Sequence, residues 1–167
     1  MRALVVFESM FGNTEKIAAA IADGLSATMD VETVEVGSAG ESVAGVDLLV
    51  VGGPTHAFAM TRESTRKSAA EQAPEGIVSK GPGLREWLSA LDSADAAIAT
   101  FDTKVAKPRL PGSAARGARR RLRRLGYRPV TAATTFYVTG TTGPLIAGEE
   151  ERARRWGDQL SQTLAPH

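Results

Sequence analysis

Glu8-Ser9-Met10-Phe11-Gly12-Asn13-Thr14-Glu15 joins an apolar run, Leu4-Val5-Val6-Phe7, to an alanine-rich stretch. Ser9, Asn13 and Thr14 each carry a hydrogen-bond donor, and Gly12 lets the backbone turn tightly and approach a ligand closely. With the apolar run as a strand and the alanine-rich stretch as a helix, this loop lies at a helix N-terminus. Unpaired N–H groups and the positive end of the helix dipole then point at whatever sits there. The chemistry that suits such a loop is anion binding, and phosphate suits it best because every donor bond is then charge-assisted. An ordinary helix cap would need only one of the three polar side chains.

The kind of phosphate is narrowed by what the loop lacks. No G-x-x-x-x-G-K-[ST] occurs, so there is no loop lysine for a triphosphate, and no G-x-G-x-x-G follows the first strand. No lysine or arginine lies between Phe7 and Glu15, while Glu8 and Glu15 flank the loop. A pocket that neutralises its anion with N–H and O–H dipoles alone suits one phosphate monoester better than a polyphosphate. That points towards FMN rather than FAD, NAD or ATP.

The elements that must position this loop alternate. Residues 2–7 read as a strand, and about Thr14 to Ala27 as a helix with Ile17, Ile21 and Leu25 on one face. Met29–Val36 alternates as an outer strand should, and Val46–Val51, apolar apart from Asp47, has the pattern of a strand buried on both faces. A helix around Leu84, Trp87, Leu88 and Leu91 precedes a second buried strand, Ala96–Phe101. The basic helix Arg116–Leu125, a fifth strand Val130–Val138 and a closing helix Glu149–Leu164 complete the chain. Strands alternating with helices imply an α/β fold, a doubly wound parallel sheet between two helical layers.

Ser9-Met10-Phe11-Gly12-Asn13-Thr14-Glu15-Lys16 resembles the phosphate loop of the flavodoxin superfamily. Leu48-Leu49-Val50-Val51-Gly52-Gly53-Pro54-Thr55-His56 resembles that family's third strand and flavin-side loop, and Ala97-Ile98-Ala99-Thr100-Phe101-Asp102-Thr103 its fourth strand and the loop on the other flavin face. The three stretches follow family order and span nearly the whole chain. The resemblance implies a five-stranded sheet in the order 2-1-3-4-5, with the ligand at the switch point beside the first strand. It implies FMN as cofactor, bound by Ser9, Met10, Phe11, Gly12, Asn13 and Thr14 in the first loop and by Pro54, Thr55, His56, Ala57 and Phe58 in the second. Phe101, Asp102 and Thr103 complete the set, Asp102 and Thr103 at the polar pyrimidine edge. His56, Phe58, Met60 and Phe101 are the candidates to cover the ring. Lys104, Lys107 and Arg109 continue the third loop and bring positive charge near it. No glycine follows Pro54 directly, so the flavin is expected to act largely as a two-electron centre.

Composition sets outer bounds. The 167 residues suit one domain, 1–167, with 43% apolar content and no run long enough to span a membrane. A strand so near Met1 leaves no room for a signal peptide, so a cytoplasmic setting is expected. The absence of cysteine excludes disulfides and thiolate chemistry, and two histidines, His56 and His167, make a structural metal site unexpected.

Two features depart from an ordinary member of such a family. Residues 53–82 form an insertion of about thirty residues between the third strand and the next helix, and Thr61–Gln72 within it reads as a polar, solvated helix. The insertion is expected to form a lid or partner surface and to be dispensable for the distant Ser9–Thr14 loop. Charge is also split: residues 1–83 carry 6 Lys/Arg and 11 Asp/Glu, a net −5, and residues 84–167 carry 14 and 8, a net +6. Carrier flavodoxins are typically acidic; here Arg116, Arg119, Arg120, Arg121, Arg123 and Arg124 crowd one helix. No aromatic platform interleaves them, so nucleic acid is not an expected partner. The expected function is electron transfer between FMN and a redox partner protein or small-molecule electron acceptor. The alternatives are an FMN-dependent oxidoreductase acting on a quinone or porphyrinogen-like substrate, and a non-redox interaction domain on the same scaffold. No catalytic residue is legible.

Overall fold

Leu48, Leu49, Val50 and Val51 have no exposed surface, because both faces of their strand are covered. They form β3 (Leu48–Pro54), flanked in parallel by β1 (Arg2–Phe7) and β4 (Ala97–Val105). The structure, a computed structural model, describes residues Met1–Leu164, and His167 lies outside them. Beyond β1 runs β2 (Asp30–Glu35), whose half-exposed residues mark a sheet edge. The order is 2-1-3-4-5, as the sequence implies.

The fifth position differs from expectation. Instead of one strand over Val130–Val138, two segments share the outer side of β4: β5 (Arg128–Pro129) and β6 (Thr134–Val138). Between the pairs Ile98–Pro129 and Phe101–Thr134, β4 advances three residues and the edge advances five. The two surplus residues have no opposite partner, so the edge bulges out between the segments.

Alternation along the strands sends side chains to two cores. On one face Val5, Phe7 and Val50 pack with Ile17, Ile21 and Leu25 of α1 (Asn13–Leu25) and with Ala153 and Leu160 of α5 (Glu149–Leu164). On the other, Val6, Leu49, Val51 and Ile98 pack with Leu84 and Leu88 of α3 (Leu84–Ala90) and Leu122 of α4 (Ala114–Arg124). Burying a side chain of this size contributes about 1.5–3 kcal/mol, which is what holds the layers together. In register, Phe7 stands beside Gly52, and Gly52 beside Phe101. The chain therefore leaves β1, β3 and β4 along one edge of the sheet, and the three loops meet there.

The insertion contains α2 (Glu63–Glu71), a mostly exposed helix that buries only Ala69. It is not independent of the first loop. Val78 N–H donates to Met10 O at 3.0 Å, and Ser79 N–H donates to Ser9 O at 2.7 Å. Ser9 N–H in turn donates to Ser79 Oγ at 2.9 Å. Segments distant in sequence are thus hydrogen-bonded along two consecutive residues, a direct tie between the insertion and the Ser9–Thr14 loop that the sequence reading does not include.

Candidate functional site

The first loop is built around Ser9. Its hydroxyl, fully buried, accepts from Gly12 N–H at 3.2 Å and Glu15 N–H at 3.3 Å. Gly12 precedes α1 with φ +91°, a left-handed conformation that glycine adopts without strain. The N–H groups of Phe11, Asn13 and Thr14 find no acceptor among the described residues. They belong to the N-terminal turn, where the helix dipole favours an anion. Ser9 therefore shapes the cradle from inside, and the backbone supplies the outward donors. Thr14 Oγ1 lies 2.7 Å from Thr103 Oγ1, tying α1 to the end of β4. Asn13 turns its amide to Thr142 O at 3.2 Å, so the loop after β6 closes the other side.

The second loop makes a tight reversal. His56 N–H donates to Ala59 O at 2.8 Å and Ala59 N–H returns to His56 O at 3.1 Å. Between them Ala57 and Phe58 have φ of +47° and +72°. Two consecutive left-handed residues make a type I′ turn, normally the province of glycine and asparagine. Neither residue is of that kind, so the turn is strained. It carries Phe58 outwards, 53% exposed.

The third loop departs most from the sequence reading. Phe101 is no ring cover: its side chain is wholly buried and meets Phe136 and Trp156 edge to face, with ring centroids 6.3 Å away in each case. A Cβ on Gly52 would stand 2.1 Å from the Phe101 ring, so Gly52 is where the core makes room for it. Asp102 is also buried, away from the cleft. Its Oδ2 accepts from Ser113 Oγ at 2.6 Å, Thr55 Oγ1 at 3.0 Å and Ala115 N–H at 3.1 Å. The carboxylate thus bolts the second loop and the start of α4 to β4. Lys104 spends its ammonium on the carbonyls of Leu110 and, at 2.7 Å, Gly112.

These loops enclose a cleft of about 290 Å³. Of the residues singled out from sequence, Ser9, Met10, Phe11, Asn13, Thr14, Pro54, Thr55, His56, Ala57 and Thr103 line it. Gly12 shapes the loop from behind, while Phe58, Phe101 and Asp102 lie outside the wall. Missed were Thr65, Ser68 and Ala69 of α2 with Gln72 at its C-terminal cap, together with Val105, Val138 and Thr141. The spacing of Thr65, Ser68, Ala69 and Gln72 places them on one helical face, the one signal that could have found them. A narrow apolar slot of about 160 Å³, lined by Ala57, Phe58, Val105, Leu110 and Pro111 among others, adjoins the cleft through Thr55 and Lys104.

Electrostatics around the cleft are set by burial. Burial lowers the pKa of the His56 imidazole, and the positive Arg66 adds to the shift. At neutral pH its ring is a neutral, planar wall rather than a cation. Burial raises the pKa of the Glu8 carboxyl, although Thr61, Leu84 N–H and Arg66 all pull it down. Glu8 accepts from Thr61 Oγ1 at 2.5 Å and Leu84 N–H at 2.7 Å, and Arg66 ties Thr61 to Glu86. The insertion is thereby fastened beneath the cleft as well as beside it. Among the described residues no cluster of His, Asp and Glu could hold a metal ion, and no helix is long and apolar enough to cross a membrane.

No protein-family model matches the sequence, and no curated protein is similar enough to count as a relative. Solved structures are similar over nearly the whole of this chain. An archaeal flavodoxin superposes with a TM-score of 0.69 at 19% identity, covering 97% of each chain. The oxidised flavodoxin 1 of Bacillus cereus gives 0.72 at 18% identity, covering 99% of this chain and 100% of its own. The flavodoxin of Streptococcus pneumoniae gives 0.67 at 17% identity, covering 98% and 100%. With the strand order 2-1-3-4-5 and the three loops at one sheet edge, this chain has the flavodoxin-like fold.

Proposed function

We propose that the chain, as a single domain over 1–167, binds FMN non-covalently in this cleft and takes part in electron transfer. The observation that carries the reading is the set of acceptor-free N–H groups of Phe11, Asn13 and Thr14, opening into the cleft from a loop that itself carries no cation. That donor set suits one phosphate monoester. The adjoining apolar slot suits the flat, mostly apolar edge of the ring. When bound, FMN would supply the redox chemistry itself. The protein's residues bind and enclose. Phe11, Asn13 and Thr14 hold the phosphate, His56 and Ala57 wall the ring, and Thr103 steadies Thr14 through their shared hydroxyl bond.

A carrier between a reductase and an acceptor is the first reading, because among the described residues no acid–base pair lines the cleft. One observation favours an FMN-dependent oxidoreductase as the second. The face of α2 bearing Thr65, Ser68 and Gln72 walls the cleft, and such a wall could orient a small acceptor. Titration of the purified protein with FMN and with riboflavin, followed in the visible spectrum, tests the shared core of both readings. FMN is expected to bind at least about tenfold more tightly, since only it brings the charged group to those donors. Equal affinities would sink the phosphate assignment.

A further inference from the structure

A second depression, of about 430 Å³, lies between α3 and α4, on the far side of Phe58 from the cleft. Arg116, Arg120, Arg121 and Arg124 line it along α4. None of these four guanidinium groups bonds a carboxylate or any other acceptor among the described residues. Arg85, on the opposite wall, is already held by Met60 O at 2.8 Å and Thr61 O at 3.2 Å. Arg116, Arg120 and Arg124 recur every fourth residue and repel one another on one helix face. Arg116 also sits in the first turn, where the helix dipole disfavours a cation. Among the described residues no carboxylate relieves this charge.

The lip of the groove is apolar. Phe58, 53% exposed, is held there by the strained turn, and Leu110, 48% exposed, stands beyond it in the slot that Phe58 also lines. An apolar anchor beside a charged groove is the anatomy of a protein docking site. We infer that this groove docks an acidic polypeptide segment of the redox partner, its carboxylates pairing with Arg116, Arg120, Arg121 and Arg124 and an apolar side chain resting on Phe58. Guanidinium forks match carboxylates two bonds at a time. A concave groove between two helices admits a chain segment but not a duplex, and one phenyl ring is no stacking platform for bases. Such a partner would sit beside the slot that opens from the cleft, and its charge is opposite to that of the partners expected for acidic carriers. The inference rests on the redox reading for its purpose, but the surface can be tested without cofactor.

The test is fluorescence anisotropy of a short labelled poly-glutamate peptide, titrated with the purified protein at low and moderate salt. An oligothymidylate and anionic lipid vesicles run in parallel. The peptide is expected to bind, to weaken with salt, and to lose at least about tenfold in affinity in Arg116→Gln/Arg120→Gln/Arg124→Gln. The control Arg119→Gln/Arg123→Gln, which removes charge from α4 outside the groove, should lose far less. Equal loss in the two variants, or tighter binding of the oligonucleotide or the vesicles than of the peptide, would overturn the inference. If the triple variant loses its helical circular dichroism, Arg120→Gln alone is read against Arg123→Gln by the same criterion. Failure of FMN to bind leaves this titration unaffected, so the two readings can fail separately.

Discussion

Ser9 and Ser79 grip each other reciprocally. Ser9 N–H donates to the Ser79 hydroxyl at 2.9 Å, and Ser79 N–H donates to the Ser9 carbonyl at 2.7 Å. The Ser79 hydroxyl in turn donates to Glu35 Oε2 at 2.8 Å. Both serines are buried, so each bond is one that water cannot replace. The insertion is therefore part of the scaffold that holds the Ser9–Thr14 loop in shape.

Replacing Ser79 by Ala leaves the buried Ser9 N–H without an acceptor. An orphaned buried donor costs about 1–3 kcal/mol. At the size of this chain that lowers Tm by roughly 2–12 °C. FMN affinity should fall with it, because Ser9 also orients Gly12 and Glu15 through its hydroxyl. Calorimetry and an FMN titration check this together. An unchanged affinity would show that the strap supports the insertion alone.

Thr14 offers a sharper probe of the anion itself. The residue is buried, and its hydroxyl shares a 2.7 Å bond with Thr103. Two hydroxyls carry two protons, and their mutual bond uses one, leaving one to donate to a phosphate. Thr14→Ala should weaken FMN by about tenfold or more, since a bond to a charged group contributes about 1.5–3 kcal/mol. Riboflavin affinity should barely move. A parallel loss for riboflavin would mean that the loop had collapsed and that no phosphate contact had been removed.

What could be read from sequence was what depends on local pattern. Leu48–Val51 announces a buried strand by its unbroken apolar run, and Ser9–Thr14 announces a helix N-terminus by residue type. Phe101 was misplaced because a strand's alternation does not say which core each face enters. Only the neighbouring Gly52 shows the vacancy that its ring fills. Asp102 looked like a loop polar group, yet its partners Thr55, Ser113 and Ala115 lie as many as 47 residues away. The split of the fifth strand turns on two surplus residues, a matter of register against β4 that no single segment displays. The hold of Ser79 on Ser9, 70 residues apart, is of the same kind.

The turn at Ala57–Phe58 yields a prediction of sign. Ala57 at φ +47° stores strain that glycine would not. Ala57→Gly should raise stability by about 0.5–1 kcal/mol after allowing for glycine's greater unfolded-state entropy. Ala57→Val, with a β-branched side chain that the left-handed region excludes, should lower it. Denaturant titration of the two variants gives both signs. Stabilisation by valine would mean that the turn is not left-handed in solution.

Glu8 gives the chain a pH dependence whose direction follows from its burial. The carboxyl is 1% exposed, and that burial holds its folded pKa above the ordinary 4.5. The native state then binds the proton more readily than the unfolded chain does. Its contribution to stability is fully present below the unfolded value and is lost as pH rises through the raised folded value. Glu8→Gln is neutral throughout and suffers no such loss. The stability of the natural protein relative to this variant should therefore fall as pH rises across that window and level off above it. Glu149, lowered by Arg152, acts oppositely, and so does His56, lowered by burial; both are present in the two proteins and cancel in the difference. Paired Tm measurements between about pH 4 and 8 isolate the Glu8 contribution. A flat difference, or one that grows in favour of the natural protein as pH rises, would show that the bonds from Thr61 and Leu84 N–H outweigh burial and that Glu8 is held as a carboxylate.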